Sequence, residues 1–251
     1  MPHLTLRFHA ELEDFLPASR RGKPLSIVFR GPQTLKHLVA AAGVPPVEVG
    51  LVRLGDARFP WDQVPPDGAH LDAFPKKPRE RWPQAQPRPR FALDGHLGRL
   101  ASYLRLLGFD TWYRNQVEDA DLAALAAAEE RVVLTRDQDL LKRRIVQYGY
   151  WVRSLEPQEQ VAEVLARFDI AALAQPFTRC PRCNGLLRPA PKAEVWAQLE
   201  PLTRRYYHTF YRCEACGQVY WRGSHFDKIL ALLATWLPEE VLSHQTGASN
   251  A

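Results

Sequence analysis

Two sets of residues in this 251-residue chain have the types and spacings that chemistry requires. The first is cysteine. All four cysteines fall in two C-x-x-C pairs, Cys180/Cys183 and Cys213/Cys216, with 29 residues between the pairs. Glycine follows closely in each case, Gly185 and Gly217, where the backbone would turn around an ion. Four thiolates complete a closed tetrahedral shell around Zn²⁺ and leave no position for a reacting water. The expected zinc is therefore a folding element. Thioredoxin-like redox chemistry is the alternative, but neither pair sits at a clear strand-to-helix start.

The second set is acidic. Asp94 directly follows the short apolar run 91–93, Asp119 and Asp121 open an alanine-rich helix, and Asp137 and Asp139 follow the apolar run 131–135. Each could simply cap a helix N-terminus and offset the dipole there. Gathered at one sheet edge, carboxylates repel one another unless a cation neutralises them. Hard oxygen donors at that density suit Mg²⁺ or Mn²⁺. One such ion can deprotonate a water for in-line attack on a phosphodiester, while a second stabilises the departing 3′ oxygen. His96 reads as a loop histidine near the site.

The elements that must position these residues follow from periodicity. From residue 91 onward, short apolar strands (91–93, 111–113, 131–135, 150–153) alternate with helices (97–107, 121–130, near 140–148, 157–168). Such alternation predicts a doubly wound α/β sheet with parallel strands, whose ligands bind at the strands' carboxyl ends. Residues 3–9 and 24–29 alternate like hairpin strands, Thr34 is placed to cap a helix over 35–42, and strand-like pieces follow at 47–54 and 69–74. This ββαββ order resembles the β-grasp (ubiquitin-like) fold, in particular the sulfur carriers of thiamin and molybdopterin synthesis. Those carriers need a free C-terminal Gly-Gly, whereas this strand runs on through Phe74-Pro75-Lys76-Lys77. An interaction or substrate-positioning module is the expected role.

Charge divides unevenly along the chain. Residues 1–74 balance at eight basic and eight acidic, 75–90 carry six and one, 91–170 carry ten and thirteen, and 171–251 carry nine and six. Basic flanks around an acidic middle suit a protein that holds cations at its centre and a phosphate backbone beside it. Residues 75–90 contain five prolines and read as a stiff basic linker. Arg204, Arg205 and Arg222 stand among tyrosines and Trp221 in and after the cysteine region. Arginines hold phosphates while aromatic faces stack unpaired bases, although tyrosine and tryptophan also fill small cores. No phosphate-cradling glycine loop occurs. No run of 18 apolar residues and no leader-like start is found, so a soluble, cytoplasmic protein with no membrane association is expected.

The segments DGHLGRLASYLRLLGFDT (94–111) and RVVLTRDQDL (131–140), with the helix-opening acid between them, closely resemble a known family. It is the PIN-like nuclease family named after the C-terminal ribonuclease domain of the Mut-seven exonuclease. The resemblance covers roughly residues 90–230, and a β-grasp module also precedes this domain in bacterial members. It implies a PIN-like Rossmannoid sheet and a metal-dependent ribonuclease. Asp94, Asp121, Asp137 and Asp139 would be the catalytic Mg²⁺ or Mn²⁺ ligands, with Asp119 the rival of Asp121. Thr135 and Arg136 would support them, and Arg99, Arg204, Arg205, Arg222 and His225 are the RNA-binding candidates. Arg99 and His225 could equally be a solvated helix arginine and a packing or capping histidine. The expected organisation is a β-grasp domain (1–74), linker (75–90), nuclease domain (91–172), zinc ribbon with C-terminal helix (173–242) and tail (243–251). A non-catalytic RNA-binding adaptor that recruits a partner through the β-grasp module is the alternative, and a phosphohydrolase of small nucleotides a third reading.

Overall fold

In the computed structural model, residues 1–246 are described. The N-terminal elements are β1 (His3–Phe8), β2 (Leu25–Val28), α1 (Leu35–Ala41), β3 (Val49–Leu54), β4 (Ala57–Arg58) and β5 (Ala69–Pro75). Next come β6 (Phe91–Leu93), α2 (Gly98–Leu106), β7 (Thr111–Tyr113), α3 (Asp119–Ala128), β8 (Val132–Thr135), α4 (Gln138–Lys142), β9 (Gly149–Trp151) and α5 (Pro157–Phe168). The C-terminal elements are β10 (Leu187–Ala190), α6 (Lys192–Val195), α7 (Pro201–Tyr206), β11 (Phe210–Cys213), β12 (Val219–Trp221), α8 (Phe226–Ala234) and α9 (Glu239–Thr246). They form two compact units, Met1–Gln86 with Glu118–Trp151, and Pro87–Val117 with Val152 onward.

In the first unit, a five-stranded sheet runs in the order β2-β1-β5-β3-β4. The central pair β1/β5 is parallel and its neighbours are antiparallel, as a β-grasp requires. Alternation along β1 buries Leu4, Leu6 and Phe8 and turns the intervening side chains away from the core. Thr34 caps α1 by accepting from the His37 amide at 3.4 Å, and Leu35, Leu38 and Val39 of that helix cover the sheet. The same unit holds β8 and β9, paired in parallel with Thr135 opposite Trp151. Trp151 joins the β-grasp core, its ring 5.1 Å from that of Phe15. The proline-rich stretch packs here as well. Arg81 and Trp82 are each only 2% exposed, and the Gln86 amide donates to the Glu130 carbonyl at 3.0 Å.

In the second unit, β6 and β7 pair in parallel and α2 packs against α5. Proline at its first position starts α5, Asp169 in the left-handed region ends it, and Val161, Val164, Leu165 and Phe168 form its buried stripe. Phe91 meets Phe109 and Phe168 edge-on, at 6.0 and 5.6 Å between centroids. Gly108 closes α2 at φ +84°, with a Cβ there only 2.1 Å from the Gln175 carbonyl oxygen, so only glycine fits. Beyond α5, the antiparallel sheet β10-β11-β12 forms a ribbon whose core is Val195, Leu199, Phe210 and Val219.

Three segments differ from the periodicity reading. The helix expected near 140–148 is the five-residue α4, because Arg143 turns extended (φ −61°, ψ 131°) and the chain then bends to bury Val146. The apolar stretch 229–237 reads as a final helix, but that helix starts and ends earlier, as α8. A further helix, α9, occupies Glu239–Thr246 and so runs on into the segment expected to be a tail (243–251), of which residues 247–251 lie outside the described residues.

Candidate functional site

The four cysteines converge. Their sulfur atoms all lie within 4.8 Å of one another, with Cys180 to Cys216 at 3.8 Å and Cys183 to Cys213 at 3.4 Å. A disulfide needs about 2.05 Å, whereas a tetrahedral zinc shell with Zn–S of about 2.3 Å has edges near 3.8 Å. The donor set therefore fits Zn²⁺. Gly185 and Gly217 make the knuckles possible: a Cβ on Gly185 would lie 2.7 Å from the Cys213 sulfur, and Gly217 adopts φ +72°.

The surroundings separate the two thiols of the first pair. Burial pushes the Cys183 thiol up to about 12, only partly offset by the Gly185 amide. Burial acts in the same sense on Cys180, but the Tyr220 hydroxyl and the Cys183 and Arg182 amides outweigh it and bring the thiol down to about 7. Tyr220 Oη stands 3.0 Å from Cys180 Sγ. Burial first, and then the sulfur itself, hold the phenol well above its usual range, so it stays protonated and donates. Such a donor orients a thiolate for its metal.

The first knuckle is clamped to the α/β part of its unit. Asn184, in the left-handed region at φ +73°, accepts from the Thr111 amide at 3.0 Å and donates to Asp110 at 2.9 Å. Arg105, 5% exposed, donates through Nε to the Thr111 carbonyl and through Nη1 to the carbonyls of Pro181 and Arg182. Neither residue stood out in the sequence, because the bonds that join the knuckle to the α/β part link positions more than 70 apart in the chain. The only local trace is the C-x-x-C-Asn-Gly run, an asparagine where a left-handed turn is needed.

Asp94 is 7% exposed and directly follows β6, where its side chain accepts from the His96 amide at 2.9 Å. The D-G-x-x-G spacing has a packing cause. A Cβ on Gly95 would meet the Asn115 carbonyl oxygen at 2.4 Å, and one on Gly98 would meet the Tyr113 hydroxyl at 2.7 Å. The loop after β7 thus lies directly against the turn that Asp94 caps, and Tyr113 Oη donates to the Gly95 carbonyl at 3.0 Å. His96 and Arg99 are exposed.

In the other unit, Asp137 follows β8 and caps α4, accepting from the Asp139 amide at 2.8 Å. Thr135 is fully buried, and its hydroxyl oxygen accepts from the Asp137 amide at 2.8 Å, so it holds the turn that carries the carboxylate. Arg136 is exposed, and Asp139 is exposed and paired with Lys142 at 2.9 Å. On α3, Asp119 shares the stripe of Leu122, Ala123 and Ala126, is half-buried, and lies 3.8 Å from Arg143. Asp121 is exposed, on the other side of that helix.

Of the basic candidates, Arg204 is held by the Trp196 carbonyl at 3.0 Å and stacks over the Trp196 ring at 5.1 Å. Arg205 is exposed beside Tyr206, and Arg222 lies 5.2 Å over the Phe226 ring. His225 precedes α8, exposed and without a side-chain capping bond. Phe210 serves the ribbon core, Tyr207 packs against it, and Tyr206 is 62% exposed.

Parallel strand pairs with helices, an N-terminal β-grasp sheet and a four-sulfur ribbon define a multidomain α/β protein with a centre able to hold zinc. The chain belongs to the family described as the Mut7-C RNAse domain, which matches residues 89–233, and its residues 1–81 match the Mut7-C ubiquitin domain. No curated protein and no solved structure matches it. Family membership supports a nuclease acting on RNA, and the ubiquitin-like domain suggests contact with a protein. Among the described residues no helix is long and apolar enough to cross a membrane.

Proposed function

We propose that this chain is a PIN-type ribonuclease that hydrolyses RNA phosphodiester bonds with Mg²⁺ or Mn²⁺. The observation that carries the reading is the coincidence of the RNAse-domain match with carboxylates at matching structural positions. Asp94 and Asp137 each begin the turn after the carboxyl end of a parallel strand, β6 and β8. Asp94 and Asp137, with Asp139 in the first turn of α4, would hold the divalent ion. For the ligand from α3, Asp119 is favoured over Asp121 by its half-buried place on the inward stripe.

The ion, when bound, supplies Lewis acidity toward water and phosphate oxygen. The chain's own residues do the rest. Thr135 fixes the turn of Asp137, the glycines of D-G-x-x-G hold the turn of Asp94 closed, and Arg136 and Arg99 present positive charge to the RNA backbone. The sulfur-bound zinc is structural and takes no part in cleavage. A cytoplasmic setting, where paired cysteines stay reduced, completes the reading.

The test is cleavage of labelled single-stranded and structured RNA in Mn²⁺ or Mg²⁺ by the wild type and by Asp137→Asn. Loss of cleavage in the variant, with folding intact, is expected. Cleavage that survives the substitution would place the chemistry elsewhere, and RNA binding without turnover in either protein would favour the adaptor reading.

A further inference from the structure

The ribbon carries an insertion, residues 191–209, between the paired strands β10 and β11. Its buried side chains Val195 and Leu199 supply the ribbon core together with Phe210 and Val219. Three further large apolar residues of the insertion lie outside that core: Trp196, Leu202 and Tyr206 are 48, 69 and 62% exposed. Leu202 and Tyr206 stand one turn apart on the same face of α7. Packing of the ribbon does not need them, and exposed apolar side chains gathered in so short a stretch mark a contact surface.

Cations are interleaved with these side chains. Lys192 Nζ and the Arg204 guanidinium lie 5.8 and 5.1 Å from the centre of the Trp196 ring, and the Arg205 guanidinium lies 5.4 Å from that of Tyr206. Lys192 donates to the Arg204 carbonyl, and Arg204 Nε to the Trp196 carbonyl at 3.0 Å, so α6, Trp196 and α7 are held together. Contacts with a ring or a carbonyl do not neutralise a cation. Among the described residues, none of the three is ion-paired with a carboxylate. The insertion's own carboxylates, Glu194 and Glu200, make no such pair: Glu194 lines a recess with Arg188 and Arg212, and Glu200 precedes α7.

This combination narrows the choice of ligand. An apolar protein face would bury three cations without a counter-charge. A polyanion that carries flat rings meets both the charges and the exposed aromatics. In a duplex the rings are stacked on one another, whereas a single strand offers rings and phosphates together. We propose that the insertion is a platform for single-stranded RNA, with unpaired bases stacked on Trp196 and Tyr206 and the phosphates held by Lys192, Arg204 and Arg205. The proposal rests on the ribonuclease reading above and adds to it a preference for unpaired substrate.

Binding, rather than cleavage, tests this. Full-length zinc-loaded Asp137→Asn protein, without added Mg²⁺ or Mn²⁺ so that RNA stays uncut, is titrated with a fluorescent single-stranded oligoribonucleotide and with its duplex. The same strand carrying 5-iodouracil is then photocrosslinked and the attached peptide identified by mass spectrometry. The crosslink should fall on Trp196 or Tyr206. In this background, Trp196→Leu with Tyr206→Leu should abolish it and weaken single-strand binding about tenfold. Trp196→Phe with Tyr206→Phe should stay within a few-fold of the parent, and duplex affinity should not respond to either pair. Arg205→Gln should reduce the salt slope of single-strand affinity by about 0.7. Zinc content and melting temperature report whether each variant is folded, and Tyr206→Leu alone repeats the comparison if the leucine pair is not. Unchanged single-strand affinity in the folded leucine variant, or crosslinks confined to peptides outside residues 191–209, overturns the platform while leaving the ribonuclease reading intact. Equal losses for strand and duplex would reduce the contact to phosphate alone and overturn the stacking claim. Self-association that disappears with the leucine pair, without a change in RNA affinity, would assign the face to a second copy of the chain and overturn the proposal likewise. If the wild type neither binds nor cuts RNA, the proposal and the reading beneath it fall together.

Discussion

Arg81, in the proline-rich stretch, places Nη1 2.9 Å from Oε2 of Glu48, the two side chains being 2% and 0% exposed. The other Glu48 oxygen accepts from the Trp151 amide of β9 at 2.8 Å, and Arg81 Nη2 reaches Glu11 at 3.0 Å. The ubiquitin-like sheet is thereby tied to the strand beside β8, whose end carries Asp137. Arg81→Met leaves Glu48 buried without its cation and should cost about 3–5 kcal/mol. The double variant Glu48→Leu/Arg81→Met should recover part of that loss. Urea unfolding measures both, and equal stability of wild type and Arg81→Met would dismiss the pair as a fastening.

Lys76 gives a pH signature. Burial pulls its ammonium down to about 8, with Glu48 opposing and Arg81 adding to the shift. Unfolded, it titrates near 10.4. Between these values the unfolded chain binds more protons than the folded one, so stability gains with rising pH across about 8 to 10 from this group. Below that window the folded state carries the full penalty. Lys76→Met should stabilise the protein at pH 7 by roughly 1–3 kcal/mol and flatten its stability profile above pH 8. An unchanged profile would show that the ammonium is better hydrated than its surroundings imply.

The two acids of α3 make a paired comparison. Asp119→Asn should lower the RNA cleavage rate about 100-fold or more, whereas Asp121→Asn should stay within a few-fold of wild type. The reverse ranking in matched assays would return Asp121 to the ligand set and remove Asp119.

Zinc is testable without RNA. The purified chain should contain one equivalent, and Cys213→Ser should lower the melting temperature by roughly 10 °C or more. Tyr220→Phe removes one hydrogen bond to a ligand sulfur and should weaken zinc retention against a chelator about 10–100-fold. Full stability in chelator would rule out a structural zinc.

Several of these features were legible in the chain because they are local. Alternation and capping marked β1, α1 and β6, and the cysteine spacing marked the ribbon. The turns of Asp94 and Asp137 followed from an acid placed directly after an apolar run. The register of α3 was not legible: in an alanine-rich helix with apolar residues on every side, periodicity favours no face, and only packing distinguishes Asp119 from Asp121. The buried Glu48–Arg81 pair was equally hidden. Its members are 33 residues apart, and a stretch with five prolines and six basic residues reads as a spacer until the partner for one arginine is seen. The ribbon strands are three or four residues long and carry too little alternation to stand out.

Asn184 and Arg105 make the metal knuckle a surrogate for secondary structure that β7 lacks. A trimmed protein ending near residue 172 would strand the Thr111 amide and leave Nη1 of Arg105 without the Pro181 and Arg182 carbonyls that receive it. Silence from such a fragment would report a collapsed strand rather than a missing grip on substrate. Cellular zinc scarcity would act at the same joint, with enzyme abundance the first thing to fall.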